Sequence, residues 1–340
     1  MTGALPYSVL DLSPVKEGAT PADAFRESLG LARHTERLGY KRYWIAEHHN
    51  FPGIASSATA VLLAHIGGGT STIRIGAGGI MLPNHAPLTI AEQFGTLATL
   101  FPGRVDLGLG RAPGGDRLVA AALRRGLGDS TDRFPDEVEE LRGYFRPPAG
   151  RRAVRAIPGE GLEIPLYLLG SSDYGARLAA RLGLPYAFAS HFAPAALDLA
   201  LRIYRDEFRP SSSLKTPYVL VTVNVFAADS DDEGERLFSS HRRMVLGLVR
   251  GVPGRLQPPV DDMDALWSPE ERDRVEAMTR FSVVGSPASV RRGFEAIVKR
   301  TGADEIIVSG QIFDHQARLR SLGIAAGALA SFRQPHPPIP

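Results

Sequence analysis

Three ionisable residues stand together at Glu47-His48-His49, directly after the apolar segment 42–46. A histidine changes charge near neutral pH, so it can carry a proton during catalysis or hold a polar group by a hydrogen bond. Consecutive residues of an extended chain point to opposite sides, so these three side chains do not all face one metal ion. The pattern favours a proton-carrying or hydrogen-bonding histidine over a metal site, with a structural histidine as the alternative.

The apolar run from Ile73 to Pro87 contains two adjacent glycines, Gly78 and Gly79. Its first half alternates branched and small residues, which is typical of a buried strand. Two glycines in a row remove every side chain from one patch of main chain, so a flat molecule can lie against it. The alternative is a β-bulge or tight packing inside a barrel.

Arg111 follows the apolar segment 104–109 and is the first of two features suited to an anion. A fixed guanidinium at a strand end suits a phosphate or a carboxylate, and a salt bridge to a nearby carboxylate is the alternative. The glycines before Arg111 superficially resemble a dinucleotide-binding fingerprint. Pro113 interrupts any helix start there, so glycine more readily serves the close approach of a flat ligand.

The second feature is a turn of small residues after the apolar segment 166–169. Ser171, Ser172 and Tyr174 supply hydroxyl groups, and a helix is predicted to begin at Asp173. Main-chain N–H groups and the helix dipole point out of such a turn, so an anion fits there. Simple capping of the helix by Ser172 or Asp173 is the alternative.

The elements that must position these residues alternate between strand and helix, which indicates parallel pairing with right-handed crossovers. Eight strand and helix pairs predict an α/β fold, a (β/α)8 TIM barrel with insertions after strands 4 and 7. We expect one barrel domain over residues 1–333, insertions at about 112–165 and 230–280, and a flexible tail at 334–340. The predicted strands are 7–12, 42–46, a third that begins at Ile73, 104–109, 166–169, 186–189, 218–227 and 305–309. Catalytic groups of such barrels lie at the C-terminal ends of the strands, where all of the residues above are found.

The composition excludes several classes of function. The 340 residues carry a net charge of +2 with mixed signs, and no basic stripe or nucleic-acid-binding motif is present. The absence of cysteine excludes disulfides, thiolate nucleophiles and iron–sulfur clusters. No apolar run approaches membrane-spanning length, and the N-terminal residues lack a secretion signal. We therefore expect a cytoplasmic protein that binds neither nucleic acid nor membrane.

The strand-end motifs, taken together, carry a family resemblance. In their order and spacing they resemble the bacterial-luciferase-like flavin-dependent monooxygenase family, in its single-component oxidoreductase branch. The resemblance extends over nearly the whole chain. The motifs that carry it are Trp44–Phe51, Ile75–Pro87, Glu92-Gln93, Gly103–Arg111, Gly170-Ser171-Ser172 and Val284–Pro287.

The resemblance implies a barrel that binds reduced FMN at the C-terminal ends of its strands. Gly78, Gly79 and Ile80 would lie at the isoalloxazine ring, where the family often has a non-proline cis peptide. Arg111 and the turn of Ser171, Ser172 and Tyr174 would bind the FMN phosphate, and His48 would be the catalytic histidine. The light-emitting subunits have a reactive cysteine where this chain has Gly110, so light emission is not expected.

The reaction implied is oxygenation of a small organic substrate by O2 and reduced FMN through a C4a-peroxyflavin, with His48 as acid or base. A separate NAD(P)H-flavin reductase would supply the cofactor, the two insertions would cover the site, and the chain would form a homodimer. Three alternatives remain open at this point. They are a deazaflavin-dependent hydride-transfer oxidoreductase, a flavin-binding protein without turnover, and a metal-dependent barrel hydrolase.

Overall fold

The alternating pattern folds into a closed ring of parallel strands in the computed structural model, which describes residues 3–112, 117–123, 133–147 and 154–334. The strands are β1 (Tyr7–Asp11), β2 (Arg42–Ile45), β3 (Arg74–Met81), β4 (Val105–Gly110), β5 (Leu166–Gly170), β6 (Tyr186–Phe188), β7 (Val219–Ala227), β8 (Ser282–Gly285) and β9 (Glu305–Ser309). Around the ring the order is β1-β2-β3-β4-β5-β6-β7-β9, and β9 pairs again with β1. The predicted (β/α)8 barrel is therefore confirmed.

Helices, several of which pack on the outside of the barrel, connect the strands. They are α1 (Pro21–Arg37), α2 (Thr59–Gly68), α3 (Pro87–Leu100), α4 (Arg117–Leu123), α5 (Phe134–Phe145), α6 (Asp173–Leu182), α7 (Leu197–Asp206), α8 (Asp231–Val249), α9 (Pro269–Thr279), α10 (Pro287–Thr301) and α11 (His315–Leu329). Local capping begins several of them: Thr20 accepts a hydrogen bond from the amide of Asp23, and Ser268 from that of Glu271, both over 3.3 Å. Within the described ranges, no helix is both long and apolar enough to span a membrane.

The strand β8 was not predicted from the sequence. It pairs with the C-terminal half of β7, from Asn224 to Ala227, beyond the residues of β7 that pair with β6. This strand has four residues, and only two of them are apolar. Such a short segment, followed directly by the helix cap at Ser286, gives too little periodicity to predict a strand. The segment predicted as the eighth strand, 305–309, is therefore the ninth in chain order, although it is the eighth strand of the ring.

Both insertions contain helices. The first contains α4 and α5, and the second contains α8 and α9. At the chain end, Gln334 is buried, and its side chain donates a hydrogen bond to the carbonyl of Asp304 over 3.2 Å. The rest of the predicted tail, residues 335–340, lies outside the described residues.

A buried ion network closes the N-terminal end of the barrel. The Arg42 guanidinium donates to the Asp106 carboxylate over 2.8 Å, and to both carboxylate oxygens of Glu305 over 2.8 and 3.0 Å. Arg42 also donates to the Tyr167 hydroxyl over 2.7 Å. Burial raises the pKa of Glu305, but the neighbouring Arg42 and Lys41 charges outweigh it and hold the pKa at about 2. These charges are therefore paired with one another inside the barrel.

Replacement of Arg42 with Met tests this network. It removes the cation from two carboxylates that are fully buried, so the free energy of unfolding should fall by about 3–5 kcal/mol. The matched control is Arg26→Met, since Arg26 is 71% exposed and pairs with Asp23 at the surface; its effect should stay below about 1 kcal/mol. Urea unfolding at pH 7 measures both values, and equal effects would contradict a structural role of the buried network.

Candidate active site

A cavity of about 730 Å³ opens at the C-terminal ends of the barrel strands. This volume lies within the range of pockets that hold cofactors and small organic molecules. Most of its lining is apolar, and helices of both insertions contribute, through Phe134 of α5, Met244 of α8 and Met278 of α9. The insertions therefore complete the cavity, as lids over barrel active sites do.

One side of the cavity is bare main chain at Gly78 and Gly79. The pairing of β3 with β4 shifts register between Ala77 and Ile80, and the Gly78–Gly79 peptide is cis. A Cβ atom on Gly79 would lie 2.7 Å from the carbonyl oxygen of Gly108, which real side chains do not tolerate. The bulge and tight packing considered from the sequence are thus both present, and the same two glycines also line the cavity.

The side chain of Ile80 does not line the cavity, and its expected place at the isoalloxazine ring stays a prediction. Its side chain is 2% exposed and packs in the hydrophobic core around the barrel, away from the cavity. The next residue, Met81, lines the cavity instead. The reason is the two-residue period of a strand, which places the side chains of neighbouring residues on opposite faces.

Arg111 and the turn before α6 meet at one end of the cavity. The Arg111 guanidinium lies 3.9 Å from the centre of the Tyr174 ring, and Ser171 and Ser172 line the same end. Such stacking orders the guanidinium while leaving its N–H donors available to a ligand. Within the described residues, Arg111 forms no ion pair with a carboxylate.

The main-chain N–H groups of this turn are not used for capping. Ser172 is the N-cap residue of α6, but its side chain accepts no hydrogen bond from the helix. The carboxylate of Asp173 is exposed and lies 3.7 Å from Arg177, one helical turn further on. Asp173 is therefore engaged along the helix, and the first N–H groups of α6 remain suited to an anion.

His48 lines the cavity, and its ring stands edge-on to Phe51 with centroids 5.8 Å apart. Its Nδ1 atom is buried and has no hydrogen-bond partner among the described residues. Burial lowers the pKa of His48 to about 4, although the Glu47 carboxylate opposes this shift. The imidazole is consequently neutral at pH 7 and can accept a proton.

Glu47 and His49 occupy the opposite side of the chain, as the alternation of an extended segment predicts. One carboxylate oxygen of Glu47 lies 2.7 Å from His49 Nε2 and 2.8 Å from His85 Nε2, and the other accepts from the amide of Met81 over 3.0 Å. These bonds fix the chain on both sides of His48. Within the described ranges, no group of three or more acidic or histidine residues is arranged to hold a metal ion.

Two further histidines line the cavity: His191, which the sequence places at a strand end without giving it a role, and His241, which the sequence does not indicate. His191 follows β6, so its place after a predicted strand was an available signal; His241 lies within α8, and no local pattern shows that this helix face reaches the cavity. Burial lowers the pKa of His191 to about 4 and that of His241 to about 3. Both imidazoles are therefore neutral at pH 7, like His48.

With the site described, comparison with known proteins identifies the family. The Luciferase-like monooxygenase family matches residues 6–305. The chain belongs to this family. It is 53% identical to a luciferase-like monooxygenase of Escherichia coli (strain K12) over 319 residues, covering 94% of this chain and 95% of that protein. It is 36% identical to the N-acetyl-S-alkylcysteine monooxygenase of Bacillus subtilis (strain 168) over 250 residues, covering 72% and 74% of the two chains.

A solved structure of lower sequence similarity shares the fold of this family member. It is the oxygenating constituent of 3,6-diketocamphane monooxygenase of Pseudomonas putida, a type II Baeyer-Villiger monooxygenase in complex with FMN. The TM-score is 0.75 at 19% sequence identity, with 98% of this chain and 100% of that chain covered. At this identity the comparison shows the TIM-barrel architecture alone.

The buried neutral histidines predict how stability depends on pH. In the unfolded chain, His241 gains a proton as the pH falls below about 6.5. In the folded protein, burial lowers the pKa of His241 to about 3, so the ring stays neutral. The unfolded state therefore binds the extra proton, and the free energy of unfolding falls as the pH is lowered through this range. His241→Phe removes this effect and keeps an aromatic ring beside Phe226 and Phe238. Between pH 7 and pH 5, the free energy of unfolding of the variant should fall by roughly 2 kcal/mol less than that of the wild type.

Urea unfolding at the two pH values measures this difference. His65→Gln is the control, because His65 is an exposed histidine of α2 and its replacement should leave the wild-type pH dependence in place. An identical pH dependence for wild type and His241→Phe would show that His241 is not held neutral by burial.

Proposed function

We propose that this protein is a flavin-dependent monooxygenase that uses reduced FMN and O2 to oxygenate a small organic substrate. The observation that carries the proposal is one cavity that combines bare main chain at Gly78–Gly79, a cationic and hydroxyl-rich end, and a buried neutral histidine. FMN is a planar ring joined to an anionic phosphate, so its two ends match these two parts of the cavity. The membership of the family supports the same reaction class.

The residues present fit FMN in shape and charge. Gly78 and Gly79 leave main chain uncovered, on which the isoalloxazine ring would lie. Arg111, Ser171 and Ser172, with the first N–H groups of α6, would bind the phosphate. Tyr174 would hold the Arg111 guanidinium in place through the stacking already described.

When bound, reduced FMN would supply the activation of O2. The protein's own part is to orient the reactants and to exclude water, for which the apolar lining from Leu10, Met81 and Met244 is suited. His48 presents a neutral imidazole to the cavity, so it would accept a proton or hold a hydrogen bond at the reacting group. Glu47 keeps His48 in place through bonds on the far side of the chain.

The enzyme would depend on a partner protein for its cofactor. A separate NAD(P)H-flavin reductase would supply reduced FMN, and the enzyme would act as a cytoplasmic homodimer. A deazaflavin-dependent hydride transfer and a flavin-binding protein without turnover are the competing outcomes. Titration of the purified chain with FMN and with deazaflavin, followed by absorbance, separates the first of these from the proposal.

Arg111→Met should weaken FMN binding. The substitution keeps the length of the side chain and removes a charge-assisted hydrogen bond to the phosphate, which corresponds to about a 10- to 100-fold higher dissociation constant. Arg177→Met is the matched control on the surface of α6, because Arg177 pairs with Asp173 and Glu207 outside the cavity. Quenching of FMN fluorescence measures both constants, and equal affinity of wild type and Arg111→Met would exclude Arg111 from the phosphate site.

His48→Phe should abolish most of the oxygenation. With the reductase, NADH, FMN and ¹⁸O2, the wild type should place one ¹⁸O atom in a thioether or ketone probe such as thioanisole or acetophenone. Loss of a positioned acid or base should lower that rate by roughly 10²- to 10⁴-fold. The neighbouring His49→Gln can still bond to Glu47 and serves as the control. Unchanged ¹⁸O incorporation by His48→Phe would remove His48 from the mechanism.

A further inference from the structure

A second, smaller cavity lies on the axis of the barrel. We call it the axial pocket, and its volume is about 30 Å³. Strands β1, β2, β3, β5, β6, β7 and β9 all contribute to its lining, so it lies at the centre of the ring. Its floor is formed by residues that do not line the large cavity, namely Trp44, Ala187, Thr222 and Ile307.

The axial pocket adjoins the large cavity beside the glycine pair. The residues that line both spaces are Leu10, Gly78, Leu169, Ala189 and His191. A molecule in the axial pocket therefore lies next to Gly78, against which the isoalloxazine ring would lie. The shared lining also makes the large cavity the route into the axial pocket.

Small side chains leave this space open. The interior of such a barrel is usually filled by bulky side chains, whereas Ala187 and Ala189 contribute only a methyl group each. The Trp44 side chain is held in place beside them. Its indole N–H donates to the Asp106 carboxylate over 3.2 Å, and its ring stands edge-on to Tyr167 with centroids 5.0 Å apart. A buried void persists where its neighbours are fixed in this way.

The lining offers little to a polar molecule. Besides Trp44, whose N–H group is engaged, its polar side chains among the described residues are Thr222 and His191. The Nδ1 atom of His191 is enclosed by protein. The main-chain carbonyls of Thr222 and His191 already accept hydrogen bonds, from the Ser190 hydroxyl over 2.6 Å and from the Asn224 amide over 2.8 Å. A buried water molecule usually makes about three hydrogen bonds, whereas an apolar void stays dry and can hold an apolar guest.

The size and the charge of the axial pocket limit its occupant further. A water-sized sphere needs roughly 10–15 Å³, so about 30 Å³ holds roughly two such spheres, which is the size of a diatomic molecule. Burial lowers the pKa of His191 to about 4, so its imidazole is neutral at pH 7. The described lining therefore carries no charge that would attract an ion. The occupant that fits is small, uncharged and apolar.

We propose that the axial pocket binds molecular oxygen beside the flavin site. O2 is diatomic, uncharged and apolar, so it is more favourable in this lining than in water. The inference rests on the proposed function, because O2 is the co-substrate of that reaction. It goes further, since it assigns O2 a binding site and identifies Ala187 as the residue that keeps the space open.

Xenon is the probe for this site, because it is uncharged and binds in apolar voids. Crystals of the flavin-free chain under xenon pressure should show an anomalous-scattering peak in contact with Ala187 and Ile307. Ala187→Val adds two methyl groups at the floor, so this peak should disappear. Thr222→Val keeps the shape of the floor and removes its hydroxyl group, so the peak should remain. Ala22→Val, at an exposed site of α1, is the control and should bind xenon as the wild type does.

The wild-type crystals alone can overturn the proposal. An axial pocket without xenon, or an ordered water molecule there that xenon does not displace, would do so. An unchanged xenon peak in Ala187→Val would overturn it too, because the gas would then bind in a different space. These crystals contain no FMN, so their result is separate from a failure of FMN to bind, which would overturn the proposed function.

The reaction with O2 provides a second readout. Reduced FMN bound to the chain is mixed with O2 at several concentrations, and its oxidation is followed by absorbance. Ala187→Val should lower the second-order rate constant about 4- to 15-fold, the equivalent of one or two buried methylene-sized groups. Its FMN dissociation constant should stay within about twofold of the wild type, because Ala187 does not line the large cavity. An unchanged rate constant in a variant that has lost the xenon peak would overturn the proposal.

Discussion

The constraint on which the cavity depends is the close approach of β3 to its neighbours at Gly78 and Gly79. A Cβ atom on Gly79 would collide with the main-chain carbonyl oxygen of Gly108 at 2.7 Å, and one on Gly78 would crowd the end of the Leu10 side chain at 2.7 Å and Trp44 at 3.0 Å. The packing of the barrel therefore requires bare main chain at the point where the cavity forms. The same property permits a planar ring to lie flat there, so packing and cofactor binding place the same demand on these residues.

The buried ion pairs of the barrel lie at the end opposite to the cavity. Fully paired charges of Arg42, Asp106 and Glu305 occupy the N-terminal end, whereas the C-terminal end has a mostly apolar lining. Burial in that lining lowers the pKa values of three histidines, which makes them neutral hydrogen-bonding groups at pH 7. Arg111 supplies the positive charge of the site, at the end where the turn before α6 offers N–H groups. Each part of the cavity thus suits a different part of the chemistry.

Sequence reasoning placed His48, Arg111 and the turn around Ser171 correctly at one end of a barrel, because each follows a recognisable strand and parallel strands bring their ends together. It did not predict that the Ile80 side chain faces away from the cavity, although the two-residue period of β3 places Ile80 and Met81 on opposite faces. It could not indicate His241, because the packing of an insertion helix against the barrel depends on long-range contacts. The short strand β8 was missed since it depends on pairing with β7.

The central claim is that the bare main chain at Gly78–Gly79 and the Arg111 end bind one flavin molecule together. A crystal structure of the chain grown with excess FMN tests this claim most directly. We predict that the isoalloxazine ring lies against Gly78 and Gly79, with the phosphate within hydrogen-bond distance of Arg111 and the amides after Ser171. An FMN molecule bound elsewhere, or a phosphate that does not contact Arg111 while the ring occupies the cavity, would contradict the account.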